Sequence, residues 1–316
     1  MESIKVFAPA TVANVSCGYD VLGFAVSEPG DEIVMHLNSS GRVSLDVIMG
    51  DEGRLPRDPE RNTASAVVIN YLKHIGVVQG ISIELYKKMP FGSGLGSSSA
   101  SAVAGLVAVN ELMGRPLTRE QLLPFAMEGE RLACGYAHAD NVAPALLGGL
   151  VLVRSYHPLD VVKLPVPNGL ACASLYPHVE IPTKEARSII KNQVPIRDAV
   201  TQWGNVAGLV AGFCTGDLSL IGRSMQDVII EPVRAMLIPY FYEMRELALQ
   251  HQALGFGISG SGPSVFALCK NEEIAKKVTQ ALAHMLTEKK IGCNTYVSKI
   301  NLEGAVVCKE THVSGF

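Results

Sequence analysis

Hydrophobic and polar residues alternate along four short segments in the first ninety residues of the chain. These segments are residues 4–8, 32–37, 42–48 and 81–86. A period of two places successive side chains on opposite faces of an extended chain, as in a half-buried strand. The pattern therefore predicts four β-strands in this part of the sequence.

Helical segments lie between these strands and after them. Residues 62–76 open on Asn62 and close on Gly76, which are typical first and last residues around a helix. Residues 99–114 are rich in alanine and apolar on nearly every side, so we expect a buried helix there. Thr118 and Gln121 have the spacing of a capping box, which predicts the start of another helix.

The second half of the chain has longer helices and returns to strands at its end. Strands precede helices in both halves, which favours the α+β class. A proline-containing turn over residues 155–160 suggests a boundary, giving domains over residues 1–155 and 156–316. The predicted later elements are a strand, two helices and a strand–helix–strand unit, over residues 170–176, 196–214, 233–252, 263–269, 272–288 and 293–300.

Composition narrows the functional classes. Hydrophobic residues make up 48% of the chain and charged residues 18%, which allows a large core and argues against disorder. The net charge of −3 with no basic block argues against nucleic acid as a partner. The apolar run over residues 142–153 is too short and too rich in glycine to cross a membrane. The start of the sequence shows no secretory signal, so we expect a cytoplasmic protein.

The seven cysteines are scattered along the chain, and no two have C-x-x-C spacing. Neither a zinc knuckle nor a framework of disulfides is favoured by this distribution.

A glycine- and serine-rich stretch, "PFGSGLGSSSAS" over residues 90–101, joins the fourth predicted strand to the buried helix. The first amides of a helix have no partner within the helix, and the helix dipole makes that end positive. Glycine lets the backbone approach a ligand closely. The stretch therefore predicts a phosphate-binding loop, with serine hydroxyls able to bind Mg²⁺.

Two well-known phosphate motifs do not fit this stretch. No lysine follows Gly96 as a P-loop would require, and glycines at positions 92, 94 and 96 do not match G-x-G-x-x-G. Taken alone, the stretch is equally consistent with a mobile loop that caps a buried helix.

Two further stretches favour the phosphate interpretation. Residues 9–26 are polar and rich in turns, and residues 255–268 contain a second glycine–serine turn before a strand. In this order and at these distances, the three stretches resemble the three motifs of the GHMP small-molecule kinases. The segments "HADNVAPA" and "IEPVR" resemble the branch of that family that phosphorylates L-homoserine.

This resemblance covers roughly residues 4–300 and implies both a fold and a reaction. The expected fold is an N-terminal domain like the second domain of ribosomal protein S5, followed by a ferredoxin-like domain. The expected reaction transfers the γ-phosphoryl group of ATP to the hydroxyl of L-homoserine, with Mg²⁺ as cofactor. A homodimer is also expected from the family.

The resemblance assigns residues to the nucleotide and the metal. Ser98 and Glu130 match the magnesium ligands of the family, although most glutamates in such a sequence context are simply solvated. Asn62 matches a residue that touches adenine, and it can cap a helix at the same time. The remaining residues expected at the nucleotide are Pro90, Gly92, Ser93, Gly94, Leu95, Gly96, Ser97, Ser98 and Ser99.

The acceptor is a small zwitterion, so its site needs groups of both charges. Arg187 and Arg234 match the positions that bind the carboxylate, since guanidinium pairs with carboxylate through two hydrogen bonds. Either arginine alone is more typical of a surface charge. The other residues expected at the acceptor are Asn14, Asp20, His138, Asn141 and Thr183.

The identity of a general base is left open by the sequence. Asn14, Asp140 and Asn141 are the candidate catalytic residues, and an amide cannot accept a proton at neutral pH. A loose transition state for phosphoryl transfer demands little of a base. We therefore favour transfer without a strong base, with Asn14 and Asn141 orienting the hydroxyl.

Two other functions remain open at this point. One is phosphorylation of a different acceptor, such as mevalonate or shikimate. The other is a non-catalytic relative that keeps the fold as a binding module, which we would expect to have lost loop glycines or a metal ligand. This chain keeps Gly94, Gly96, Ser98 and Glu130, which favours an active kinase.

Overall fold

A computed structural model describes residues 3–179, 181, 183–191 and 193–308. Within it, two β-sheets and ten α-helices are packed around two hydrophobic cores. The predicted α+β class is therefore confirmed. No helix in this described part of the chain has the length and hydrophobicity that crossing a bilayer requires.

The first sheet has seven strands in the order β11-β1-β2-β4-β3, with β5 beside β2 and β6 beside β5. β2 is long enough to pair with β5 near its start and with β4 near its end. The strands are β1 (Ser3–Ala13), β2 (Leu22–Asn38), β3 (Val43–Met49), β4 (Gly80–Tyr86), β5 (Leu150–Tyr156), β6 (Leu159–Leu164) and β11 (Val306–Val307).

Four helices pack against this sheet: α1 (Thr63–Ile75), α2 (Ser97–Leu112), α3 (Arg119–Cys134) and α4 (Ala139–Leu147). α2 lies among the other three and contacts β1 and β2, so it is buried on nearly every side as predicted. The Asn62 cap, the Gly76 end and the Thr118 capping box are all present.

The second sheet is antiparallel, in the order β10-β7-β9-β8. Its strands are β7 (Ala171–Pro177), β8 (Gly255–Ile258), β9 (Val265–Cys269) and β10 (Cys293–Lys299). The helices of this half are α5 (Thr183–Ser188), α6 (Ile196–Thr215), α7 (Leu218–Ser224), α8 (Glu231–Arg234), α9 (Phe241–Gln250) and α10 (Glu272–Glu288), with a 3-10 turn over Ala235–Leu237.

The second sheet is buried on both faces, and β9 shows how this joins the two halves. Phe266 and Leu268 belong to the core that extends from the first sheet, whereas Val265 and Ala267 belong to the core beneath α9 and α10. Alternate side chains of one strand therefore serve two cores, and the two halves pack directly against each other.

Two local predictions are corrected. The turn-rich segment predicted after residue 8 is shorter than expected, because β1 continues to Ala13 through an irregularity between Pro9 and Thr11. The helix predicted over residues 233–252 is broken into α8, a 3-10 turn and α9. Pro239 lacks an amide hydrogen, and Tyr240 has a φ of 59°, so an α-helix cannot run through them.

The proline-containing turn near residue 155 joins β5 to β6 in a hairpin of the first sheet. Near the end of the described chain, β11 pairs with β1, and Ile300 bridges to Val26. Both halves thus contribute strands to the first sheet, while the division at residue 155 stays a prediction.

Candidate active site

A cleft of about 520 Å³ lies where the loop before α2 meets segments of the second half. It brings together polar side chains that are far apart in sequence. Among the residues expected at the site, those that line it are Asn14, Asp20, Asn62, Gly92, Ser93, Gly94, Gly96, Ser97, Ser98, Glu130, His138, Asp140, Asn141, Arg187 and Arg234.

The loop before α2 has the backbone conformation that its glycines predict. Gly92, Gly94 and Gly96 have φ values of 60°, 78° and 70°, which other residues rarely adopt. Gly96 immediately precedes α2 and makes no side-chain cap, so the first amides of α2 face the cleft without a side-chain acceptor from that position. Backbone amides at a helix N-terminus in this arrangement have the geometry that suits an anion.

The other two motifs hold this loop in place. The Thr11 amide donates to the Leu95 carbonyl at 3.0 Å, and the Ser259 hydroxyl donates to the Gly94 carbonyl at 2.8 Å. The Ser264 amide donates to the Ser93 carbonyl at 3.2 Å. The loop and the two stretches over residues 9–26 and 255–268 thus form one hydrogen-bonded unit, which argues against a mobile loop.

A buried ion pair, which sequence reasoning missed, lies beneath the start of α2. Lys87 pairs with Asp31, and the Lys87 ammonium also donates to the Ser97 carbonyl at 2.9 Å and the Ser101 hydroxyl at 2.7 Å. The Asp31 side chain is fully buried and accepts from the Lys88 amide at 2.9 Å. The pair fixes the first turn of α2 relative to β2, and Lys87 also lines the cleft.

Ser98 and Glu130 lie together at one side of the loop. The Ser98 hydroxyl donates to Glu130 Oε1 at 2.7 Å, and Glu130 is only 6% exposed. Burial raises the pKa of the Glu130 carboxyl, so its ionised form would gain from a nearby cation. No three His, Cys, Asp or Glu side chains of the described residues converge to hold a metal by themselves. One carboxylate and one hydroxyl fit Mg²⁺, which takes its other ligands from phosphate and water.

The opposite end of the cleft carries groups of both charges. Asp20 Oδ2 accepts from Arg187 Nη2 at 2.7 Å, and Asp20 Oδ1 lies 3.6 Å from His138 Nδ1. Burial lowers the pKa of His138 even though Asp20 opposes the shift. The side chain of Asn14 connects two segments of this end. Its amide nitrogen donates to the Gly260 carbonyl, and its oxygen accepts from the Asp20 amide, both at 2.8 Å.

Arg234 is buried at this same end, with 4% exposure. Its Nε donates to the Ala186 carbonyl at 3.1 Å, and its Nη1 donates to the Gly260 carbonyl at 3.0 Å. No carboxylate of the described chain lies within ion-pair distance of it. Burial lowers the pKa of the guanidinium below its usual value. A buried cation with unused donors at a cleft is suited to bind an anion.

Asp140 and Asn141 begin α4 between the two ends of the cleft. Burial, together with the charges of Asp20 and Glu130, raises the pKa of Asp140 to about 7. The Asn141 side-chain oxygen accepts from the Thr11 hydroxyl at 2.7 Å. Its amide nitrogen is therefore the end of the side chain that can serve as a donor.

Asn62 lies at the outer end of the cleft, near Leu55 and Phe91. Its oxygen caps α1 by accepting from the Ala64 amide, and its nitrogen donates to the Pro56 carbonyl, both at 3.0 Å. With 1% exposure, Asn62 shapes the wall of this pocket through its backbone contacts.

Three of the expected residues that the structure describes do not line the cleft. Leu95 and Ser99 are buried behind the loop, with 1% and 0% exposure, and Pro90 lies before it. Thr183 begins α5, but its side chain lies outside the described part of the structure.

Family models match both halves of the chain. The model of the GHMP kinases N terminal domain matches residues 62–149, and the model of the GHMP kinases C terminal region matches residues 209–287. Together they cover more than half of the 316 residues.

The chain is also similar over its full length to individual proteins. It is 49% identical to a homoserine kinase of Chlorobium phaeovibrioides, covering 96% of this chain and 99% of that one. It is 36% identical to a homoserine kinase of Xylella fastidiosa, covering 95% and 92%. The crystal structure of a homoserine kinase from Cytophaga hutchinsonii superposes with a TM-score of 0.95 at 58% identity, covering 98% of each chain.

A more distant structure shows how widely the fold is shared. The mevalonate kinase of L. major, solved in complex with R-mevalonate, superposes with a TM-score of 0.72 at 18% identity, covering 94% of this chain and 96% of that one. At this identity the likeness concerns the fold alone.

Proposed function

The chain belongs to the GHMP kinase family, and we propose that it transfers the γ-phosphoryl group of ATP to the hydroxyl of L-homoserine, as a step in threonine biosynthesis. The product is O-phospho-L-homoserine. The observation that carries the choice of acceptor is the buried Arg234, which has no carboxylate partner among the described residues, close to the ion pair of Asp20 with Arg187. A zwitterionic amino acid supplies the carboxylate and the ammonium that these groups would bind.

The phosphates of ATP would bind to the amides of the loop and of the first turn of α2. Ser98 and Glu130 would hold Mg²⁺, which when bound neutralises charge on the β- and γ-phosphates. The adenine ring of ATP would lie between Leu55, Phe91 and the wall shaped by Asn62. The other residues between 90 and 99 that the sequence predicts at the nucleotide are proposed to contact it as well.

At the other end, Arg187 and Arg234 would bind the acceptor carboxylate, and Asp20 would bind its ammonium. Asn14 and Asn141 would orient the hydroxyl towards the γ-phosphate, with His138 and Thr183 contributing to the same pocket. Phosphoryl transfer depends mainly on positioning and charge neutralisation, which such an arrangement supplies.

The acceptor is tested by measuring ATP turnover with L-homoserine, mevalonate and shikimate. We expect homoserine to be the preferred acceptor by kcat/KM. Faster turnover of mevalonate or shikimate would reassign the substrate, and no turnover with any of the three would favour a non-catalytic binding module.

We expect Asp140→Asn to reduce kcat by less than about a thousandfold, because a loose transition state requires little base catalysis. A steady-state comparison of kcat between pH 5.5 and 8.5 measures this. If Asp140 were the base, kcat of the wild type would rise through pH 7 as the carboxyl ionises, and the variant would lose more than a thousandfold.

The same variant has a stability readout that does not depend on activity. Folding raises the pKa of Asp140 from 3.8 to about 7. Between about pH 4 and pH 7 the unfolded chain has lost this proton while the folded protein keeps it, so the free energy of unfolding falls as the pH rises through this range. Asparagine does not ionise, so Asp140→Asn is expected to melt at a higher temperature than the wild type at pH 8. A lower melting temperature at pH 8 would contradict the assigned burial of this carboxyl.

We further propose that the protein forms a homodimer through the exposed face of α6. Residues 199–216 contain no charged residue, and Ile196, Val200 and Trp203 are 71%, 56% and 62% exposed on this helix. Their spacing of four and three residues places them on one stripe, an arrangement that single soluble chains rarely leave open.

Trp203→Glu is expected to convert the dimer to a monomer in sedimentation velocity, since a charge would be buried at the centre of the stripe. Val78→Glu is the matched control, because Val78 is 87% exposed between α1 and β4, outside this stripe. A wild-type protein that sediments as a monomer at micromolar concentration, or equal behaviour of the two variants, would exclude this interface.

A further inference from the structure

Two tyrosine rings and two guanidinium groups alternate in a column at the acceptor end of the cleft. The Arg187 guanidinium lies 4.8 Å from the ring centre of Tyr136 and 5.6 Å from that of Tyr19. The Arg234 guanidinium lies 5.0 Å from the same Tyr19 ring. The order is therefore Tyr136, Arg187, Tyr19 and Arg234, and each member comes from a different segment of the chain.

These separations fall within the range over which a cation is attracted to an aromatic ring, about 6 Å from the ring centre. Tyr19 is the member of the column whose ring contacts both cations. It is partly buried, so its ring interacts with both guanidinium groups where water screens them less than at the surface.

The hydrogen bond from Arg234 to the Ala186 carbonyl ties Arg234 to the backbone next to Arg187, but no contact of either arginine joins the two guanidinium groups directly. Asp20 holds Arg187, whereas Arg234 is held by the carbonyls of Ala186 and Gly260. Two like charges repel, so the guanidinium groups would tend to separate when no anion is bound. An aromatic ring that attracts both of them offsets this repulsion and keeps them close.

The Tyr19 hydroxyl makes no hydrogen bond to another residue of the described chain, while the ring makes both cation contacts. The effect of this residue should therefore depend on the aromatic ring and not on the hydroxyl. This separates a role for Tyr19 in positioning from a role as a hydrogen-bonding ligand.

We propose that Tyr19 is a positioning residue that sets the spacing of Arg187 and Arg234, so that both guanidinium groups reach one carboxylate. Tyr136 supports Arg187 alone from the other side. This rests on the proposed function only in that the acceptor carries a carboxylate. A preset pair of guanidinium groups binds the acceptor more tightly because less ordering is required on binding.

The experiment compares Tyr19→Leu, Tyr19→Phe and Tyr136→Leu by steady-state kinetics. Tyr19→Leu is expected to raise KM for the acceptor about tenfold or more, as the loss of two cation–ring contacts implies. KM for ATP should change less than about twofold, because the ring does not line the cleft near the loop. Tyr19→Phe should behave like the wild type, and Tyr136→Leu should give a smaller increase of about threefold, since one contact is lost.

The proposal is overturned if Tyr19→Leu leaves the acceptor KM unchanged, or if Tyr19→Phe is as impaired as Tyr19→Leu. Equal increases in the KM values for acceptor and ATP would indicate a general structural role and would also overturn it. Should Tyr19→Leu fold poorly, as judged by its melting temperature, Tyr19→Met provides a flexible side chain without a ring and carries the same expectations.

If L-homoserine is not the acceptor, the experiment gives a different result. Mevalonate and shikimate also carry a carboxylate, so the comparison is made with whichever acceptor the wild type turns over. A wild type that prefers another acceptor would reject homoserine as the substrate, while the ratio between Tyr19→Leu and Tyr19→Phe would still test the column.

Discussion

Replacing Gly94 with alanine is expected to lower kcat/KM for ATP by about a hundredfold or more, as a misplacement of about 1 Å in a reacting site can do. A Cβ atom at Gly94 would lie 2.5 Å from the Ser259 carbonyl oxygen and 2.8 Å from that of Gly262. Both are backbone atoms of the turn that holds the loop, so they cannot rotate away. The positive φ of Gly94 adds strain of about 1–2 kcal/mol.

Gly92→Ala is the matched control for this effect. Gly92 also has a positive φ, but a Cβ atom there would meet nothing within 4 Å. Its alanine variant therefore has the backbone strain without the collision, and we expect less than about a tenfold loss, in line with that strain. Initial-rate measurements at varied ATP distinguish the two variants. Equal losses of kcat/KM would mean that the contact of the loop with the turn at Ser259 does not affect catalysis.

Local elements were predictable where short-range chemistry decides them. Asn62, Gly76 and the Thr118 pair fix helix ends through hydrogen bonds within a few residues, and the structure has those ends as predicted. The break at Tyr240 was missed, because the pattern of apolar residues continues on both sides of Pro239. A period of 3.6 identifies a helical face but does not show whether one helix or two supply it.

The candidate site was predictable mainly from the resemblance to a family. The glycines of the loop indicate an anion site by their own chemistry, but nothing local indicates that residues 9–26 and 255–268 hold that loop. The hydrogen bond from Ser259 to Gly94 of the loop, for example, joins residues 165 positions apart. Lys87 and Asp31 were missed for the same reason, since a lysine after a strand is usually exposed.

These long-range contacts also connect the two ends of the cleft. The Gly260 carbonyl accepts from both Asn14 and Arg234, while the neighbouring Ser259 hydroxyl donates to Gly94 of the loop. The turn at residues 259–264 therefore contacts the glycine-rich loop on one side and Asn14 and Arg234 on the other. A rigid turn in this position would set the distance between nucleotide and acceptor, which in-line transfer requires.

Arg234→Met is expected to raise KM for L-homoserine by about a thousandfold, because each hydrogen bond to a charged group contributes about 1.5–3 kcal/mol and a bidentate pair is lost. The melting temperature should change little, since removing a buried charge that has no carboxylate partner among the described residues offsets the loss of its hydrogen bonds to the Ala186 and Gly260 carbonyls. Kinetics at varied homoserine and a thermal melt measure the two effects.

Arg223→Met is the matched control, because Arg223 is an exposed arginine of α7 whose described side-chain contact is the Ser219 hydroxyl. It removes the same charge without changing the cleft, so KM for homoserine should be that of the wild type. The opposite pattern for Arg234→Met, a lower melting temperature with an unchanged KM, would make Arg234 a structural residue. In that case the choice of an acceptor that carries a carboxylate would lose its main support, because no other guanidinium at this end of the cleft is both buried and free of a carboxylate partner within the described chain.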